Sequence, residues 1–471
     1  MTKWLPTLQK TDRPLYIGIA DAIEAGISNG DLPSGAKLPP LRNIAYDIGV
    51  TVGTVSRAYA LACERGLVSG EVGRGTFVLG RETPYLPPLS LPQEMVGEAL
   101  QQRINKPVAS FGYSSAVDIG QSKLIADIAG SIANGHSVKI MDYVRHVPNE
   151  WRQAGQEWLG DKNWQPNIED VVPTNGTHAA IVGIISAVTS PGDKIAFEGL
   201  TYSAIARAAA LLGRRIVTMT SDDFGVIPES FEKICAQQHP KLVYLMPSVQ
   251  NPTLVKLSTE RRKKIAEIAH KYNVYIIEDA IYAPLVEDEN LPMAHFAPEL
   301  TFTVGGLSKS VSAGIRAGWA ACPPRYATRI ANAHKMVTGG APYWLTELAS
   351  KLVLSGEACH IRKLVKQENK KRVDIVRKHL GNHMFASQDT CPYIWLTLPD
   401  PWLSGTFKKA LEEHQIVVSD EDEFKPARSA NSYHAIRIAF SSPEKAEELN
   451  APLKVISALL DSGFASCDNN G

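Results

Sequence analysis

The stretch that decides the reading of this chain is TVGGLSKSVSAGIRAGW, residues 303–319. It opens on apolar β-type residues, turns through small residues, and delivers Lys309 just past the end of the run, with Arg316 seven positions on. A Ser-Lys pair in a loop is ordinarily surface, but other elements in a fixed order change its meaning. Asn175-Gly176-Thr177-His178 lies between a strand-like run and an apolar helix, offering backbone N–H groups and a helix N-terminus to an anion. Asn251-Pro252-Thr253 ends the run KLVYLMPSVQ, Asp279 ends VYIIED, and Tyr282 follows three residues later.

Working outward, TFTVGGLS belongs to a series with VVPTN, KIAFE, RIVTMT, KLVYLMP, VYIIED and AGWAAC, each trailed by a polar or amphipathic segment. That alternation predicts an α/β fold of βαβ units, with a mostly parallel sheet and helices on both faces. At roughly 150 residues per domain, 471 residues predict about three structural units. The composition, 44% hydrophobic and 21% charged, excludes a disordered or collagen-like chain.

The 49 basic and 49 acidic side chains cancel, so any affinity for nucleic acid must be local. MTKWLPTLQKTDRPLY has no uninterrupted apolar segment after a basic start, and Ala179–Val188, the longest apolar stretch, falls well short of the roughly 20 residues that span a bilayer. A cytoplasmic protein without membrane contact is expected. Six scattered cysteines, with no C-x-x-C, fit reduced thiols and neither a disulfide framework nor a metal site.

The first 80 residues have a different texture. A helix is expected from about Pro14 to Ser28, with Tyr16, Ile19, Ala20, Ile23 and Ile27 on one side and Asn29-Gly30 as its stop. Leu41, Ile44, Ala45 and Ile48 mark a second, ended by Gly49. Thr51 caps a third that turns Val55, Tyr59 and Ala62 inward, with Thr54 and Arg57 on another face. Two short helices around a glycine turn form a helix-turn-helix, and GLVSGEVGRGTFVLG reads as a hairpin wing with Gly73 and Gly75 at its tip. Next, RETPYLPPLSLP places four prolines in a short span, predicting a stiff linker at 81–95 between a domain at 1–80 and one at 96–471.

GDLPSGAKLPPLRNIA, GVTVGTVSRAY and GRGTFV closely resemble the winged helix of the GntR regulators. The resemblance implies Arg42, Thr54 and Arg57 as DNA contacts on the helices and Gly75 in the wing. Where that family often carries Ser-Arg after the turn valine, this chain has Thr51-Val52, so a basic side chain is missing from the start of the recognition helix. Residues 1–80 hold eight basic and seven acidic side chains, a net +1, which favours a dimer reading two half-sites of an operator.

The ordered set around Lys309 resembles the fold-type I, pyridoxal phosphate-dependent aminotransferases. The resemblance implies Lys309 as the amine that forms a Schiff base with the cofactor and Asp279 as the carboxylate that keeps the pyridine nitrogen protonated. It further implies Asn251 and Tyr282 at the ring hydroxyl, Tyr202 stacked on the ring, and Gly176, Thr177, Ser308 and Arg316 around the phosphate. Arg437, in AIRIAF, matches the clamp for a substrate carboxylate, and Tyr143 the tyrosine sent across a dimer interface. Departures are Pro148 for a usual glycine, Asn-Gly-Thr-His for Ser-Gly-Ala-Gln, Gly306 for a usual threonine, and no glycine-proline lid text in YSSAVDIGQSKL.

A GntR-type winged helix joined to an aminotransferase-like domain resembles the MocR group of transcription regulators. That resemblance implies a homodimeric regulator whose large domain, with a large subdomain at about 150–340 and a smaller α+β one at 341–471, senses an amine or amino acid effector, or pyridoxal phosphate itself. The rival reading is a working aminotransferase with a DNA-binding appendage.

Overall fold

A computed structural model of the chain describes residues 4–6, 15–65, 67–71, 75–78, 109–135, 137–427, 429 and 431–462. The expected linker at 81–95, the wing-tip Gly73 and the expected helix start at Pro14 lie outside the described residues. The chain divides into two compact units, Met1–Gly97 and Glu98–Gly471.

In the first unit, helices Leu15–Ser28, Leu41–Asp47 and Val52–Glu64 precede an antiparallel hairpin, Val68–Glu71 with Gly75–Val78. The helical spacing of apolar residues explains the packing: Ile19, Ile23, Ile44, Val55, Ala58, Tyr59 and Ala62 meet in one core that also takes Val68 and Val78. Gly49, at φ +69°, makes the turn between the second and third helices. Thr51 then caps the third, its hydroxyl oxygen accepting from the Thr54 N–H at 3.2 Å, a contact worth about 1 kcal/mol. The Tyr59 hydroxyl donates to the Pro39 carbonyl at 2.8 Å, tying that helix to the loop before the second.

The second unit is built on a seven-stranded sheet. Across it run Val171–Thr174, Gly318–Ala321, Thr301–Gly306, Tyr275–Asp279, Leu242–Leu245, Lys194–Glu198 and Arg215–Met219. All pair in parallel except Gly318–Ala321, which is antiparallel to both neighbours. The reason is length: residues 307–317 are too few for a parallel crossover, which takes a dozen or more. Alternate residues of the central parallel strands feed different cores, Tyr244 and Ile277 one face, Val243 and Ile276 the other.

Phe385–Ser387, Tyr393–Thr397, Ala435–Ala439 and Ser419–Asp420 form a second, antiparallel sheet covered by helices. Its core takes Ala109 and Phe111 from far upstream, because Ala109–Ser110 pairs with Ile416–Val417. Val117 already belongs to the large core, so residues 112–116 are a strap running from one core to the other. The packing changes hands midway along helix Glu357–Leu380: Ala358, Ile361 and Val365 serve the large core, and Val373, Val376 and Leu380 the small one. Among the described residues no helix is long and apolar enough to cross a membrane.

Candidate functional site

The parallel strands place their C-terminal ends side by side, and the side chains singled out from the sequence gather there, as expected for an α/β sheet. Asp279 ends the strand Tyr275–Asp279 and is buried. Its Oδ2 accepts from the Tyr244 hydroxyl at 2.6 Å and its Oδ1 from the Ile281 N–H at 3.0 Å. Burial pushes this carboxyl up to about 6, against the pull of those donors and of Lys309.

Lys309 stands past the neighbouring strand end and donates to the Ser114 carbonyl at 2.6 Å. Burial, reinforced by Arg437 and Arg316, lowers its ammonium to about 8 while Asp279 opposes the shift. The effect is an amine far closer to its nucleophilic form than a surface lysine. Tyr282, buried, shares a hydrogen bond with the Ser114 hydroxyl and lies with its ring 5.7 Å below the Lys309 Nζ.

Arg437 is the third centre. Its Nη1 donates to Asn251 Oδ1 at 2.9 Å and its Nη2 to the Gly112 carbonyl at 2.6 Å. Phe424 and Tyr393 flank the guanidinium at 4.7 and 5.4 Å. Its Nε is buried and has no partner among the described residues. A desolvated N–H without an acceptor is costly to leave unmade, and an incoming carboxylate would relieve it.

The loop before helix Thr177–Val188 supplies an anion cradle. Gly176 occupies its N-cap at φ +84°, with no side chain to consume the first N–H groups of the helix. Arg316 sits in the left-handed region at φ +51°, a conformation costly for a residue with a Cβ. Its exposed guanidinium makes no hydrogen bond or ion pair among the described residues, and it helps depress His178 next to Thr177. Close approach explains Gly306: a Cβ there would lie 2.8 Å from the Ala317 carbonyl oxygen and 3.2 Å from Thr177 Oγ1. The cradle thus has donors, positive charge and no carboxylate. Together with a lysine of lowered proton affinity and a buried aspartate, it fits an anionic aldehyde cofactor such as pyridoxal phosphate.

Tyr202 stands at the mouth, its ring set edgewise against His178 at 6.3 Å between centroids. Ser308 is half-buried beside Lys309, and its carbonyl accepts from the Ala116 N–H. Tyr143 is not brought to the site by its own chain, being 89% exposed.

Three contributors escape a sequence reading: Tyr244, Gly112 and Ser114. Tyr244 leaves one signal, a hydroxyl-bearing residue amid apolar ones on the strand face shared with Asp279. Gly112 leaves none, because its carbonyl acts, and Ser114, which uses its carbonyl toward Lys309 and its hydroxyl toward Tyr282, is one serine in text that lacks a familiar lid pattern.

On the DNA-binding side, Arg42 and Arg57 are exposed, each on its own helix, while Thr54 is half-buried with its hydroxyl paired to Thr51 Oγ1 at 2.9 Å. Gly75, at φ +118°, begins the second wing strand against the Lys37 side chain.

Comparison with known proteins agrees with this division. Residues 126–451 match the family model of aminotransferase class I and II, and residues 15–78 that of the bacterial regulatory proteins of the gntR family. An uncharacterized HTH-type transcriptional regulator of Bacillus subtilis strain 168, YdeF, is 27% identical over 461 residues, 97% of each chain. Among solved structures, an archaeal alanine:glyoxylate aminotransferase superposes with a TM-score of 0.71 at 24% identity, over 79% of this chain and 95% of that one. A Pyrococcus horikoshii kynurenine aminotransferase gives 0.70 at 21%, over 78% and 94%.

Proposed function

Because the chain belongs to the aminotransferase class I and II family, which depends on pyridoxal phosphate, and joins that domain to a GntR-family DNA-binding region, we infer that it is a transcription regulator of the MocR kind. The large domain senses and the winged helix binds operator DNA. The observation that carries the sensing role is Arg437: buried, flanked by two aromatic rings, and left with an N–H that a carboxylate would satisfy. The effector class this favours is an amine that bears a carboxylate, an amino acid above all.

When bound, pyridoxal phosphate supplies an aldehyde with which amines condense. Lys309 would hold that aldehyde through its amine, Asp279 would keep a proton at the ring nitrogen, and Asn251 and Tyr282 would serve the ring hydroxyl. Tyr202 would cover the ring face, while Gly176, Thr177, Ser308 and Arg316 would receive the phosphate. An effector would compete with Lys309 for the aldehyde and with the strap for Arg437.

The strap gives that exchange a route outward. Gly112 and Ser114 present carbonyls to Arg437 and Lys309, and this segment follows residues 81–95 in the chain, the connection to the DNA-binding unit. Tyr143, exposed in one copy, suits a homodimer in which it reaches the partner's phosphate, and two winged helices would offset the weak charge of one.

The test is an electrophoretic shift on the flanking intergenic DNA, with and without pyridoxal phosphate and candidate amino acids. The expected result is a retarded band whose affinity changes with cofactor plus amino acid. Arg437→Ala should lose the amino acid response while keeping the visible absorbance of bound cofactor. Multiple-turnover transamination with a 2-oxo acid acceptor and no retarded band would instead favour an aminotransferase with a DNA-binding appendage.

A further inference from the structure

Tyr244 sits near the middle of the large sheet, on the strand beside the one that carries Asp279. The parallel register sets it opposite Ile277, so its side chain leaves the sheet on the same face as Asp279. The ring is wholly buried against Phe197, 5.6 Å between centroids, and the hydroxyl donates to Asp279 Oδ2 at 2.6 Å. With the Ile281 N–H on Oδ1, each carboxylate oxygen has one protein donor and keeps lone-pair capacity for a further one.

We propose that Tyr244 is a positioning residue for the cofactor: its hydroxyl aims and stabilises the Asp279 carboxylate, so that the proton between Asp279 and the ring nitrogen stays on the nitrogen. The inference rests on the pyridoxal phosphate reading above. The proton count is simple. Tyr244 keeps its own proton throughout, and a single further proton resides either on the ring nitrogen or on Asp279. Removing the phenol weakens the ionised carboxylate and moves that proton toward Asp279.

The charged and titratable groups around this carboxylate can be named element by element. Lys309, past the strand Thr301–Gly306, favours the ionised form. Tyr202, from the loop after Lys194–Glu198, feels Asp279 and is itself pushed up, chiefly by burial. Glu198, at the end of that strand, interacts with Tyr244, while Arg316 and Arg437 act on Tyr202 and Lys309. Thr301–Gly306 sets Val304 opposite Asp279 and adds no charge there. Burial also raises the Tyr244 phenol well above its ordinary value, so it remains a donor over the working pH range.

The experiment uses the full chain and pyridoxal phosphate itself, following affinity by titration and the visible absorbance of the bound cofactor against pH. Tyr244→Phe keeps the ring and removes only the donor. A hydrogen bond to a charged group predicts roughly tenfold weaker binding and a spectral titration displaced by about one pH unit. In an Asp279→Asn background the same change should add nothing, because the carboxylate it serves is gone. Unchanged affinity and titration in Tyr244→Phe, or an equal loss in the Asp279→Asn background, would overturn the proposal. Absence of cofactor binding by the unsubstituted protein would instead defeat the functional reading beneath it.

Discussion

The winged helix and the cofactor site hold their functional side chains in opposite surroundings. Arg42 and Arg57 project from short helices into solvent, with no hydrogen-bonded partner among the described residues to fix their direction. In the large unit, Asp279, Asn251, Tyr282 and Arg437 are all buried and each is held by a hydrogen bond, Asp279 to Tyr244, Tyr282 to Ser114, and Arg437 to both Asn251 and Gly112. The difference teaches where each half obtains its specificity. The buried site is pre-organised before any ligand arrives, whereas exposed arginines, if they meet DNA, would take their geometry from the duplex.

The largest effect should come from the site that is over-determined. Lys309→Ala leaves no amine for the cofactor aldehyde, so covalent attachment and the visible absorbance that reports it should be lost completely. Operator affinity measured without cofactor should stay within about twofold of the unsubstituted protein, since small changes away from an interface rarely exceed a few tenths of a kcal/mol. A large loss of cofactor-free DNA binding would show that the two halves are not separable in this way.

The reciprocal change, Arg57→Ala, is expected to weaken operator binding by roughly tenfold or more, the range for losing one base-directed or phosphate-directed arginine. Cofactor spectra should not move. An unchanged shift assay would remove Arg57 from the recognition surface and leave Arg42 as the remaining helix-borne cation singled out there.

The same contrast explains what was legible in the sequence. The three N-terminal helices show in apolar spacing, since Ile19, Ile44, Val55 and Ala62 all turn inward, and the Thr51 cap and Gly49 turn use residue types with a strong local cause. The strands of the large sheet are legible too, because strands buried on both faces read as continuous apolar runs. The antiparallel direction of Gly318–Ala321 was not, since AGWAAC has the same texture as its parallel neighbours and only the short connection betrays it. Around the site, Lys309 and Asp279 announce themselves as ionisable groups at or just past strand ends, and Arg437 as a cation in the middle of an apolar strand. Gly112 meets Arg437, and Ser114 meets Lys309, through carbonyls that every residue possesses, so side-chain identity carries no trace of those two contacts.

Two glycines turn the comparison into a stability measurement. Gly306→Ala puts a methyl group against the backbone carbonyl of Ala317, which can yield only by moving a strand beside the phosphate cradle. The cost should be about 1–3 kcal/mol, read as a lowered unfolding midpoint of the large unit. Gly49→Ala meets nothing within 4 Å and pays only for its left-handed φ of +69°, about 1 kcal/mol. Equal effects from both would mean that the tight packing at Gly306 relaxes freely.

The effect that develops most gradually is a pH dependence confined to one unit. Residues 1–97 contain no histidine, so the winged-helix unit has no such group to titrate near neutrality. In the large unit, His334 is buried and its Nε2 accepts from the Asn175 N–H at 3.1 Å, holding the loop that precedes the anion cradle. Burial lowers its protonation to about 4 from an ordinary value near 6.5. Between these two values the unfolded chain takes up a proton that the folded chain refuses. The stabilisation is therefore complete above about pH 6.5 and declines as the pH falls toward 4, where the folded form also protonates and loses the Asn175 contact. His178, lowered by burial and by Arg316, works in the same direction. Thermal unfolding of the full chain between pH 7 and pH 5 should show the large unit losing stability, and His334→Gln, which cannot charge, should make that slope shallower. An identical slope in the variant would assign the acid sensitivity to His178 or to the carboxylates, and would leave the Asn175 loop without its proposed proton-sensitive support.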